Sequence, residues 1–102
     1  MRIDTLTVGD YGHLFIAEVD ADLSSMTWAS FRVRKPDGTA VTWPAALVAP
    51  TGGKTIWEIR YTTQPGDIDQ AGTWVIVPVV TGTGTSLHGD PVKVFVKQEF
   101  AP

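Results

Sequence analysis

Turn-forming residues punctuate this chain so closely that no helix of ordinary length fits between them. Clusters rich in Gly, Pro and Asp recur at Gly9-Asp10, Asp20 to Ser25, Pro36-Asp37-Gly38, Pro50 to Lys54, Pro65 to Gly72, Gly82 to Gly84 and Gly89-Asp90-Pro91. Proline presets φ, glycine supplies φ > 0 and aspartate bonds its own backbone, so each cluster ends a regular element. No window keeps a helical apolar period for the ten or more residues a helix needs. The intervening segments are rich in Val, Thr, Ile and Trp, which suit a pleated, half-buried surface. Short strands separated by such turns predict a sandwich or barrel.

Alternation places the strands. The first is Ile3 to Val8 and the second His13 to Val19, where both parities are apolar and a bulge is expected. Trp28 to Lys35 sets Ala29, Phe31 and Val33 against Ser30, Arg32 and Arg34. A short strand at Ala40 to Trp43 and a separate apolar piece at Ala45 to Ala49 follow. In Thr55 to Thr62, Trp57, Ile59 and Tyr61 point inward. Thr73 to Val80 turns Trp74 and Ile76 to the core, and Pro91 to Glu99 does the same with Val92, Val94 and Val96. Trp28, Trp57 and Trp74 are expected in the core or at its edge, because each ring buries about 150–250 Å².

A chain of 102 residues fits one domain, 1–102, and is long enough to bury a core without a covalent staple. None is present, since there is no cysteine, which also excludes thiolate metal sites. A net charge of -3 with scattered basic residues argues against nucleic acid as a partner. The apolar run Val75 to Val80 is too short to span a bilayer, and the first residues lack a signal peptide's apolar run. A cytoplasmic, unprocessed product is therefore expected.

The most specific local feature is Gly66-Asp67-Ile68-Asp69-Gln70-Ala71-Gly72-Thr73-Trp74. Immunoglobulin-like sandwiches carry such a corner between their fifth and sixth strands. Asp69 is expected to accept backbone N–H bonds, Gly72 to permit a tight reversal and Trp74 to anchor the new strand. Tryptophan stands where that corner has tyrosine, so no phenol is expected to close it. The expected fold is an immunoglobulin-like antiparallel β-sandwich of about seven strands.

A wider pattern runs along the chain: Gly-x-Leu-x-Ile from Gly12 and Asp-Leu-Ser from Asp22, then Phe31 to Gly38 (Phe-Arg-Val-Arg-Lys-Pro-Asp-Gly). Tyr61 to Asp67 (Tyr-Thr-Thr-Gln-Pro-Gly-Asp), Asp69 to Trp74 and Pro91 to Val96 complete it. This pattern resembles the small immunoglobulin-like proteins of tailed bacteriophages and is similar to the N-terminal domain of the baseplate upper protein family. The resemblance implies a virion structural protein, made in the host cytoplasm, whose partners are other virion proteins. The role it implies is an adaptor in the tail or baseplate that holds fibres or receptor-binding proteins. Related sandwiches decorate phage heads, which makes a capsid decoration protein the alternative. The family has no catalytic residues.

The chemistry visible in the residues agrees with a non-enzyme. The histidines are His13 and His88, and none of Ser24, Ser25, Ser30 and Ser86 stands in a nucleophile elbow. His88 reads as an exposed turn residue and His13 as the start of a strand beside solvent. No cofactor is expected. Calcium has candidates in Asp20 and Asp22, but their loop lacks the glycine and closing glutamate of an EF-hand, and turn capping is the favoured role. Trp43, the tryptophan least tied to a core pattern, is the candidate for stacking on a sugar in a carbohydrate-binding or adhesion module. Packing against Pro44 at a loop edge is the favoured role there.

An apolar stripe falls on the wrong face. If Trp74 and Ile76 face the core, Val75, Val77 and Val79 face outward, as does Phe95 between Lys93 and Lys97. On neighbouring strands these would form one continuous apolar patch, a mark of an interface with another virion subunit or another copy. Pro78 removes a ladder donor, so a bulge or free edge is expected there.

Overall fold

The structure, a computed structural model, describes residues 5–98, and every regular element in it is a strand. In chain order these are β1 (Thr5–Thr7), β2 (Leu14–Val19), β3 (Met26–Arg34), β4 (Ala40–Val48), β5 (Trp57–Thr62), β6 (Gly72–Gly82), β7 (Thr85–His88) and β8 (Val92–Lys97). The fold is all-β. Ile3 and Glu99, expected at strand ends, lie outside the described residues.

The strands form one curled mixed sheet in the order β1-β8-β6-β3-β4-β5-β2, with β7 also on β6. β1 runs parallel to β8 and the other pairs are antiparallel. β2–β5 and β3–β6–β8 are pairings that the expected immunoglobulin-like sandwich would also have, but all the strands join in one sheet. The departure is β4. Its first half pairs with β3 from Ala40 to Ala45 and its second half with β5 from Ala46 to Val48. One continuous strand therefore stands where the sequence suggested two pieces, and it carries the chain from one half of the sheet to the other. Pro44 sits one residue before that change of partner.

Alternation now decides what is inside. Ala29, Phe31 and Val33 of β3, Trp43 of β4, Ile59 of β5, Trp74, Ile76 and Val80 of β6 and Val96 of β8 are buried in one cluster. Phe15, Ala17 and Val19 of β2 pack against it from the other half. β2 pairs with β5 in unbroken register and has no bulge, and its opposite parity leaves Leu14 and Ile16 exposed. Two loop residues complete the core: Leu23, before β3, and Ile68, before β6. Neither belongs to an alternating run, so periodicity could not point to them.

The tryptophans divide otherwise than expected. Trp43 is 5% exposed and central: its ring stacks on Tyr61 at 4.9 Å and lies 5.8 Å from Phe15 and 6.3 Å from Trp74. Trp28 is 47% exposed. It shares parity with Ser30, Arg32 and Arg34 beyond an irregularity at Met26/Trp28, and that parity turns it outward. Trp57 and Trp74 are at the core edge and in the core.

Pro78 is neither bulged nor on a free edge. One flank pairs in register with Phe31. On the other flank β6 changes partner, from β8 through Ile76 to β7 from Val79, and the Gly89 N–H donates to the Pro78 carbonyl across the gap at 2.8 Å. A residue without an N–H is tolerated where no ladder donor is needed.

Candidate docking face

The corner before β6 fixes how the outer face is held. Asp67, not Asp69, caps its turn: it accepts the Gln64 N–H at 2.7 Å and the Tyr61 hydroxyl. Burial first, and then the bond to Asp67, raise the Tyr61 pKa above the usual phenol range. A phenol therefore does close the corner, from β5. The Trp74 indole N–H adds a second closure by donating to the Gln70 carbonyl at 3.0 Å. Asp69 instead pairs with Lys35 Nζ at 2.9 Å, and that ammonium lies 5.7 Å from the centre of the Trp74 ring.

This corner grips the β3–β4 turn. Gln70 Nε2 donates to Asp37 at 2.9 Å, and a Cβ added at Gly72 would come within 2.8 Å of Pro36. Gly72 has φ +127°, so both its backbone and its close neighbour require glycine. Asp37 also accepts the Thr39 hydroxyl and backbone N–H, and these bonds hold its carboxyl below the ordinary value. The Phe31-to-Gly38 and Asp69-to-Trp74 segments, far apart in sequence, thus form one clamp.

The clamp lies at the end of β3 and the start of β6, at one edge of the outer face of β3, β6 and β8. Cross-strand pairs share a face, and they place Val75 between Arg34 and Lys93, Val77 beside Arg32, and Phe95 beside Thr73. Val79 lies between Ser30 and His88. Phe95 is 54% exposed, Val75 and Val77 are half-buried, and Val79 is only 6% exposed. Buried to that degree, Val79 belongs to the base of the face and offers no contact. The expected continuous apolar patch is instead an apolar stripe edged by cations. Sequence reasoning missed Arg32, Arg34 and Trp28 as parts of it, although their parity with Ser30 was visible. Arg32, Arg34, Ala40, Val75, Val77 and Pro91 line a shallow groove of about 350 Å³ on this side.

The remaining candidates lie elsewhere. Asp22 accepts the Ser24 N–H at 2.9 Å; this bond, with one from the Ser24 hydroxyl, lowers its pKa. Asp20 is exposed in the same loop, and among the described residues no three His, Cys, Asp or Glu side chains are grouped to hold a metal ion. Trp43 is withdrawn as a sugar platform by its burial. His88 ends β7 and is exposed rather than in a turn, while His13 meets Phe15 edge-on at 4.6 Å.

No protein-family model matches the chain, and comparisons with curated proteins and with solved structures return no match.

Proposed function

We propose that this protein is a non-catalytic docking module: a bacteriophage virion structural protein that serves in the tail or baseplate as an adaptor for fibre or receptor-binding proteins. The observation that carries the docking reading is the exposed outer face of β3–β6–β8. There Phe95 and the half-buried Val75 and Val77 project from strands whose other parity builds the core. Apolar side chains on the solvent side of a rigid sheet favour a contact surface over a catalytic cleft. The phage assignment is supported by the resemblance of the Phe31-to-Gly38, Tyr61-to-Asp67 and Asp69-to-Trp74 segments to the baseplate upper protein family. The first and last of these form the clamp at one edge of this face.

Quantitative gel bands of purified particles test the reading. A band at a few copies per particle is the expected result for a tail adaptor. Hundreds of copies would assign the protein to the head surface as a decoration protein, and absence from the particle would overturn the virion reading.

A further inference from the structure

Charge is sorted across the sheet. β3, β4, β6, β7 and β8 contain no aspartate or glutamate. Arg32, Arg34, Lys93 and Lys97 take the outward parity of β3 and β8, so half of the 8 basic residues stand on one face of a chain whose net charge is -3. The strand acids, Glu18 and Glu58, belong to β2 and β5, where Glu58 bonds Arg60. Among the described residues, none of the four outward cations makes a salt bridge. Lys35, the cation at the margin, is paired with Asp69.

We infer that the β3–β6–β8 face binds an acidic, extended segment of a partner protein in which carboxylates alternate with apolar side chains. The inference rests on the docking reading above and gives its partner's chemistry. The spacing supports it. Val75 and Val77 form the apolar floor, with Arg34 and Arg32 along one side and Lys93 on the other. A strand-like segment turns alternate side chains to such a floor and the next ones away from it, and the long stems of Arg32, Arg34 and Lys93 carry their charges up past the valines toward those carboxylates. Arginine's planar fork suits carboxylates. A second copy docked through the same face would set these cations against their own equivalents, which an isologous contact requires. A nucleic acid base could stack on Phe95, but a nucleic acid offers no run of aliphatic side chains to the floor of Val75 and Val77.

An amide-resolved NMR titration of the intact chain tests this. The probes are a short blocked peptide alternating Glu and Val, its Lys–Val counterpart, and a short oligothymidylate. The Glu–Val peptide shifts the amides of Val75, Val77 and Lys93. Its binding weakens at least about tenfold in Arg32→Glu/Arg34→Glu protein and weakens as NaCl rises from about 0.05 to about 0.5 M. Equal binding of the Lys–Val peptide, tighter binding of the oligonucleotide, no shifts on this face, or affinity unmoved by the double reversal would each overturn the inference. Concentration-dependent dimers of the free protein that Arg32→Glu/Arg34→Glu abolishes would also overturn it. Suppose Val77→Asp/Phe95→Asp protein stays out of particles while Arg32→Glu/Arg34→Glu protein enters normally. The docking reading then stands and the acidic partner falls.

Discussion

Ser30 and Tyr61 show how single side chains test the packing. Ser30 is 1% exposed, and its hydroxyl has no hydrogen-bond partner among the described residues. An unsatisfied buried hydroxyl costs about 1–3 kcal/mol. Ser30→Ala should therefore stabilise the fold by about 1 kcal/mol, which calorimetry would read as a rise of about 4–8 °C in Tm. Tyr61 carries a pH signature. Its folded pKa is raised, chiefly by burial, while the unfolded phenol titrates near the ordinary value of about 10. The contribution of neutral Tyr61 is thus fully present below that value, and stability falls as pH rises above it, because only the unfolded state releases the proton. Thermal unfolding between about pH 9 and 11 should show this decline. Tyr61→Phe protein should show less of it. Equal declines in both proteins would contradict the closure of the corner by Tyr61.

Among the elements, the clamp between the β3–β4 turn and the β6 corner makes the sharpest prediction. Gly72→Ala meets Pro36 and a strained φ, and should cost about 1–3 kcal/mol, read as a lower urea midpoint. In a Pro36→Gly background part of that cost disappears, and a double-mutant cycle measures the coupling. Additive losses would mean that the two segments do not press on each other. Much of the element layout was legible because β3, β5 and β6 alternate cleanly and Gly, Pro and Asp separate them. The corner's place was legible too, but its wiring was not. The motif points to Asp69 as the cap, whereas Asp67 takes that role and Asp69 meets Lys35 across the turn, a contact no local pattern shows. Trp43 was misplaced because Pro44 reads as a break, whereas β4 runs through it while changing partner. Leu23 and Ile68 plug the core from loops, where no period exists to show them. The outward valines were legible by parity, but their flanking cations depend on which strands neighbour β6. β7, which pairs with β6 from Val79 to Gly82, was not legible in the alternation.

The whole molecule separates its tasks by face. One parity of the curled sheet gathers Trp43, Trp74, Phe31 and Ile59 into the core. Trp74→Ala should cost about 3–5 kcal/mol, a large share of a typical domain's stability of about 5–15 kcal/mol. The opposite parity of β3, β6 and β8 carries Phe95, the half-buried valines and the cations, and is the face proposed to meet a partner. Substitutions on the two faces should therefore separate stability from assembly. Val77→Asp places a carboxylate opposite Arg32, and Phe95→Asp places one between Lys93 and Lys97 on the same side of β8. Opposite charges across strands are worth about 0.2–1 kcal/mol, so the isolated fold should tolerate both changes. The decisive measurement is the amount of Val77→Asp/Phe95→Asp protein recovered in purified particles, for protein whose urea midpoint matches the wild type. The account predicts its loss from the particles, and incorporation at the wild-type level would contradict it.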